Sequence, residues 1–199
     1  MDAMARPFMP AALCAALASA FCAMAPAATP SRYGTDLDGR ALTSLASPDT
    51  RTVVLIFLAS DCPISNRYIP ALQHLDHQFA NQHVRLWIVY PNPGETAERL
   101  RAHQTDFNQQ IPELLDPDQS LVQLAGVHAT PEAAVFTSDT AGLHEVYRGR
   151  IDDRYISFGQ QRPQATRHEL EQAISAVLTG RKVLLPGGRP VGCAIIPKP

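Results

Sequence analysis

The sequence predicts an α/β domain, a mixed sheet flanked by helices, and three observations predict it. Two apolar runs rich in β-branched and aromatic residues, TVVLIFLA (Thr52–Ala59) and VRLWIVY (Val84–Tyr90), enclose a stretch of helical periodicity, as parallel strands joined by a crossover do. Two further strand-like runs, Ala133–Ser138 and Leu143–Arg148, are separated only by the turn signal Asp139–Gly142, so they pair antiparallel. A closing amphipathic helix follows, which supplies a second element to cover the sheet.

Each element has its own signature. Tyr33–Ala46 carries Asp38-Gly39 between short alternating stretches and reads as an N-terminal hairpin. After the first buried strand, Pro63 suits the first turn of a helix, in which Ile69, Leu72, Leu75 and Phe79 share one face up to about Ala80. His74 and His77 fall among polar neighbours on that helix; their spacing resembles a metal pair, but with no third ligand they read as a solvated face. Pro91-Asn92-Pro93-Gly94 stops the second strand, Glu95–Phe107 reads as a polar helix, and Asp118–Ala125 as a short one after Asp116-Pro117. Thr166–Leu178 is the last helix, with Leu170, Ile174 and Val177 on one face. Beyond Gly180 runs a Pro/Gly-rich tail. The domain is therefore expected over residues 29–181 and a C-terminal extension over 182–199.

The N-terminus stands apart. A start carrying Arg6, an apolar run over Ala11–Ala25 and an Ala25-Pro26-Ala27 close describe a signal peptide over residues 1–28, so the mature protein is expected in the periplasm or secreted. An uncleaved anchor is the alternative. A formal net charge of -2 with 18% charged residues offers no basic footprint for nucleic acid. Cys14 and Cys22 would leave with the signal, and the mature chain keeps Cys62 and Cys193, enough for one disulfide in an oxidising compartment.

Cys62 lies in a polar loop directly after a buried strand and at the start of a helix. Unpaired N–H groups and the positive end of the helix dipole favour a thiolate there, and only the thiolate is a nucleophile. Arg67 one turn on would add to this and Asp61 oppose it. The competing reading is an inert buried cysteine at a strand end.

FLASDCPIS followed by an amphipathic helix, with HATPEAAVF before a later strand, resembles the thioredoxin superfamily. Within it the chain is most similar to extracytoplasmic redoxins, the group that includes peroxiredoxin-like (alkyl hydroperoxide reductase/thiol-specific antioxidant) proteins, over roughly Tyr33–Arg181. The resemblance implies a thioredoxin-like sheet, no bound cofactor, and a cis proline beside the reactive cysteine, which here is Pro131 after Thr130. It also implies thiol, disulfide or peroxide substrates and an external reductant.

The sequence departs from both of the family's familiar site patterns. A dithiol oxidoreductase of this fold has Cys-x-x-Cys, whereas here Cys62-Pro63-Ile64-Ser65 offers Ser65, able to hydrogen-bond a thiolate but not to resolve a disulfide. A peroxiredoxin has Pro-x-x-x-Thr-x-x-Cys, whereas Leu55 and Ala59 occupy those places. The family topology brings three segments towards Cys62: Pro91–Gly94, His128–Pro131 and Gly149–Arg154. Arg150 is then a candidate to pair with the thiolate or a substrate carboxylate. Asp152 or Asp153 would orient it or relay a proton; a solvated loop with an internal salt bridge is the equal alternative. His128, two residues before Thr130, reads first as a surface histidine.

Cys193 sits in the apolar stretch VGCAII of the tail. Thirteen residues separate it from Gly180, a reach of up to roughly 43–47 Å against a domain about 30 Å across. Reach therefore permits Cys193 to meet Cys62. Three functions are open at this point. Cys62 attacks a disulfide or peroxide and Cys193 or an external thiol resolves the product; or Cys62, Cys193 and His128 handle copper, whose Cu(I) state suits soft thiolates; or the fold is a non-catalytic binding module.

Overall fold

The computed structural model describes Met1, residues 33–184 and residues 187–198. The rest of the expected signal peptide lies outside the described residues. The chain enters by β1 (Thr35–Asp36) and a turn at Asp38-Gly39, where Gly39 takes φ 79°. The expected hairpin is reduced to one bridge, Thr35 to Ala41. Its second arm fails because Ser44 Oγ bonds both the N–H and the carbonyl of Ala46 (3.2 and 2.7 Å), bending the chain away from the strand.

β2 (Thr52–Phe57) is buried at every residue, as its unbroken apolar run requires. α1 (Pro63–Phe79) starts at the expected proline, and Ile69, Leu72, Leu75 and Phe79 form its buried face while His74 and His77 are exposed. β3 (Val84–Tyr90) pairs parallel with β2. Its first half alternates, with Arg85 stacked over Trp87 at 4.5 Å, so only its C-terminal end is buried on both faces.

α2 (Ala97–Phe107) begins later than expected because Thr96 caps it, its Oγ1 accepting from Arg99 N at 3.2 Å. β4 (Glu113–Leu115) was not apparent in the sequence: it is three residues long and begins with a glutamic acid. α3 (Ser120–Ala125) hangs on buried Asp116, whose Oδ2 accepts from Leu121 N and Val122 N at 2.9 and 3.1 Å.

β5 (Ala129–Thr130), β6 (Glu132–Asp139) and β7 (Gly142–Gly149) follow, the last two as the expected antiparallel pair. A small hairpin, β8 (Tyr155–Ser157) with β9 (Gln160–Gln161), precedes α4 (Glu169–Leu178). α4 is shorter than expected because Asp153 holds Thr166 and Arg167 as loop. Its Oδ1 accepts from both backbone N–H groups at 2.6 and 3.0 Å, and its Oδ2 from Thr166 Oγ1 at 2.6 Å. β10 (Cys193–Ala194) ends the list.

The main sheet runs β1-β4-β3-β2-β6-β7. Val54 and Ile56 point to one face, packed with α1, α2 and α4 through Ile69, Leu72, Leu100 and Ile174. Val53, Leu55 and Phe57 point to the other, against Leu45, Leu121 and Phe136. Each fully buried side chain of this size contributes about 1.5–3 kcal/mol, which fixes the register of β2 and with it the position of the loop that follows. No helix among the described residues is long and apolar enough to cross a membrane.

Candidate active site

The loop after β2 is a built structure. Cys62 caps α1: its N–H donates to Ala59 O and its carbonyl accepts from Asn66 N, both at 3.1 Å. Glu95 secures Ser60, two residues before Cys62, accepting from its N at 2.9 Å and its Oγ at 2.8 Å. Asn66 Nδ2 donates to Ser60 O at 3.0 Å and its Oδ1 meets His103 Nε2 at 2.9 Å. The chain of polar contacts continues into the core through Tyr90 and Glu113. Glu95, Asn66 and His103 gave no signal in the sequence, because each belongs to a different helix turn or loop and only the fold aligns them.

Cys62 itself is 0% exposed. The Thr130–Pro131 bond is cis, and Cys62 Sγ donates to Thr130 O at 3.4 Å. Ser65 is buried beside the sulfur, its Oγ also accepting from Ala59 N at 3.4 Å. The second thiol comes from the tail. β10 pairs antiparallel with β5, Cys193 opposite Thr130, and this carries Cys193 Sγ to 2.8 Å from Cys62 Sγ. Both cysteines are thiols in this state.

The tail is held along its length. Gly187 O accepts from Arg150 N at 2.9 Å and Tyr147 Oη at 3.2 Å. Ile195 N donates to His128 O at 3.1 Å, Ile196 N to Asn92 Oδ1 at 3.0 Å, and Gln119 Nε2 to Ile196 O at 2.6 Å. Gly192 lies so close to Thr130 that a Cβ there would run into the Thr130 carbonyl, which explains a glycine at this step of the tail.

Burial pushes the Cys62 thiol up, but hydrogen bonds from Cys193 and Ser65 outweigh it, and its pKa lies below the ordinary cysteine value. Cys193 moves the other way, up to about 12, through burial, its bond to Cys62 and the charge there, with Asp61 adding to it. The pair is therefore polarised: Cys62 is the readier of the two thiols to ionise, and Cys193 the one that holds its proton more tightly.

The three charged candidates stand elsewhere. Arg150 does not pair with the thiolate: Glu169 Oε1 accepts from its Nε at 3.0 Å and its Nη2 at 2.5 Å. A buried carboxylate attracts a guanidinium more strongly than a sulfur already bonded to Cys193 and Ser65. Asp152 accepts from Tyr68 Oη at 2.6 Å, and Asp153 holds the α4 approach, so neither orients Arg150 by hydrogen bond. The loop is thus the internally bonded one that the sequence also allowed. His128 is exposed and meets the tail through its backbone. Among the described residues no group of three or more His, Cys, Asp and Glu side chains is placed to hold a metal ion.

The sequence model of the AhpC/TSA family matches residues 23–143. No curated protein matches the sequence significantly. Among solved structures, a hypothetical protein from Sinorhizobium meliloti 1021 is 25% identical with a TM-score of 0.68, over 82% of this chain and 88% of that one. An uncharacterized conserved protein from Geobacillus kaustophilus is 21% identical with a TM-score of 0.66, over 84% and 88%. A thioredoxin-like protein from Aeropyrum pernix shares the fold at 17% identity, with a TM-score of 0.51 over 74% and 88%. With a thioredoxin-like sheet, a thiol at the helix start and a family match over more than half its length, the chain belongs to the AhpC/TSA family of redoxins.

Proposed function

We propose that the protein is an exported thiol–disulfide oxidoreductase that cycles between a Cys62/Cys193 dithiol and a Cys62–Cys193 disulfide. The observation that supports this reading is the 2.8 Å approach of the two sulfurs, made by a tail that nothing but its own anchors directs to that spot. Bond formation needs a closure to about 2.05 Å, with no rearrangement of the fold.

In the oxidised form the sulfur within reach of solvent is Cys193, since Cys62 is fully buried. A substrate thiolate attacks Cys193 Sγ, the Cys62–Cys193 bond breaks, and Cys62 leaves as thiolate, favoured as the thiol of lower pKa. A second substrate thiolate attacks the substrate sulfur of the mixed disulfide. Cys193 leaves and takes up a proton, so two electrons pass from the substrate dithiol to the protein. An external electron acceptor of disulfide type restores the bond by the reverse exchange.

Disulfide exchange is favoured over peroxide reduction because Ala59 stands where the family's peroxide-activating threonine is expected, and Arg150 is committed to Glu169. Peptide mapping of the oxidised monomer tests the reading: a Cys62–Cys193 crosslinked peptide is expected, lost in Cys193→Ser. An oxidised protein whose only products are sulfenic acid or an intermolecular dimer would overturn it. Mass measurement of the protein isolated from cells checks removal of residues 1–28.

A further inference from the structure

A cleft of about 460 Å³ lies between the β8–β9 hairpin and the docked tail, and one of its walls is the segment leading directly into Cys193, Arg189–Gly192. Three arginines line it, Arg150, Arg162 and Arg189, and no carboxylate does. Two of them are fixed from behind: Arg150 by buried Glu169, and Arg162 by buried Asp153, whose Oδ2 is 3.7 Å from Nη1. Arg189 is exposed and has no carboxylate partner among the described residues. Two backing carboxylates against three guanidinium groups leave one positive charge uncompensated at this wall. The hairpin adds apolar surface, with Phe158 68% and Ile156 48% exposed.

We propose that this cleft binds the peptide segment flanking the reactive cysteine of a substrate protein, and that it selects segments carrying a carboxylate. The inference rests on the disulfide-exchange reading above and names its substrate class. The wall's position explains the selection. Gly192 is the residue before Cys193, so a chain whose thiolate attacks Cys193 Sγ lays its neighbouring residues along Arg189–Gly192. Arginines held in place by their own carboxylates lose little freedom on meeting another, which favours a bidentate contact with an acidic side chain. Phe158 and Ile156 cover an apolar residue beside it, burying surface that is otherwise in water.

The test uses the full mature protein and two short peptides, with cysteine flanked by Glu-Leu in one and Lys-Leu in the other, plus uncharged dithiothreitol. Serine versions of both peptides report binding without exchange. The acidic serine peptide is expected to bind at least about fivefold tighter than the basic one at low salt, and the advantage shrinks as salt rises. The acidic cysteine peptide should reduce the oxidised protein faster by a similar factor, relative to dithiothreitol. Arg189→Glu should abolish or reverse both preferences, each peptide rate being taken relative to dithiothreitol with the same variant, and Phe158→Ala should weaken both peptides. Equal binding of the two serine peptides, or a preference that survives Arg189→Glu, overturns the cleft assignment. If dithiothreitol itself fails to reduce the oxidised protein, the exchange reading falls, and the serine peptides still decide whether the cleft selects acidic segments.

Discussion

Cys193 faces Thr130 across a two-residue antiparallel bridge, and that pairing sets the tail thiol 2.8 Å from Cys62 although 131 positions separate the two cysteines in sequence. The second thiol that a Cys-x-x-Cys pattern would place at position 65 is supplied here from the far end of the chain. Ser65 occupies the local position and serves the sulfur as a hydrogen-bond partner.

A crosslink across so long a loop should dominate thermal stability. On the loop-entropy account, closing 131 positions constrains the unfolded chain by about 5 kcal/mol before strain. Reduction is expected to lower the melting temperature and expose the tail to protease. Gly192→Val should do the same without touching a thiol, because its side chain would collide with the Thr130 carbonyl and lift the tail. Disulfide formation in Gly192→Val as fast as in the parent would show that this close approach does not position Cys193.

The thiols should titrate apart. Cys62 is expected to ionise below the free-cysteine value of about 8.5, read from thiolate absorbance against pH. Cys193→Ala should raise the Cys62 midpoint, since it removes the chief contact holding that pKa down, and Ser65→Ala should raise it too. An unchanged midpoint in Cys193→Ala would mean that the sulfur pair is not what activates Cys62.

Glu113 gives stability a pH dependence. Burial, with a contribution from Glu95, lifts its carboxyl to about 7 against hydrogen bonds from Gln109 and Tyr90. The folded pKa lies above the unfolded value of about 4.3, so the folded protein keeps a proton that the unfolded chain has released. Stability from this group is full below about pH 4.3, declines as pH rises to 7, and is level beyond; the decline is roughly 3–4 kcal/mol at most. Glu113→Gln should flatten that part of the profile in urea titrations at several pH values. Parallel profiles for the two proteins would place the charge on Glu113 in the fold.

Arg150 should matter for stability and not for the thiol. Its partner Glu169 is buried, and Glu169 Oε2 has no hydrogen-bond partner to spare. Arg150→Met leaves that carboxylate uncompensated and is expected to cost about 2–3 kcal/mol, less than for a wholly buried pair because Arg150 is partly exposed. The Cys62 titration should not move. A raised Cys62 midpoint in Arg150→Met would restore Arg150 to the thiolate.

The sequence by itself determined the layers of this protein and the location of its first thiol. Unbroken apolar runs become central strands because only burial on both faces accounts for them, and a cysteine between such a run and a helix-starting proline has one place to go. Thr130-Pro131 and the following strand could be read because the dipeptide is contiguous. Short elements could not: β4, β5 and β10 have two or three residues each, too few to carry a period, and they exist only because a neighbouring edge offers backbone partners. Tertiary structure alone decided where the charges went. Glu169 lies nineteen positions from Arg150 and Asp153 thirteen from Thr166, and no pattern in the sequence ranks those partners above others. The tail is the clearest case. Its length allowed Cys193 to reach Cys62, but reach is a bound on distance; the docking was settled by backbone pairing to Thr130 and by hydrogen bonds to Asn92, Gln119, His128 and Tyr147, groups that meet only after the sheet has formed.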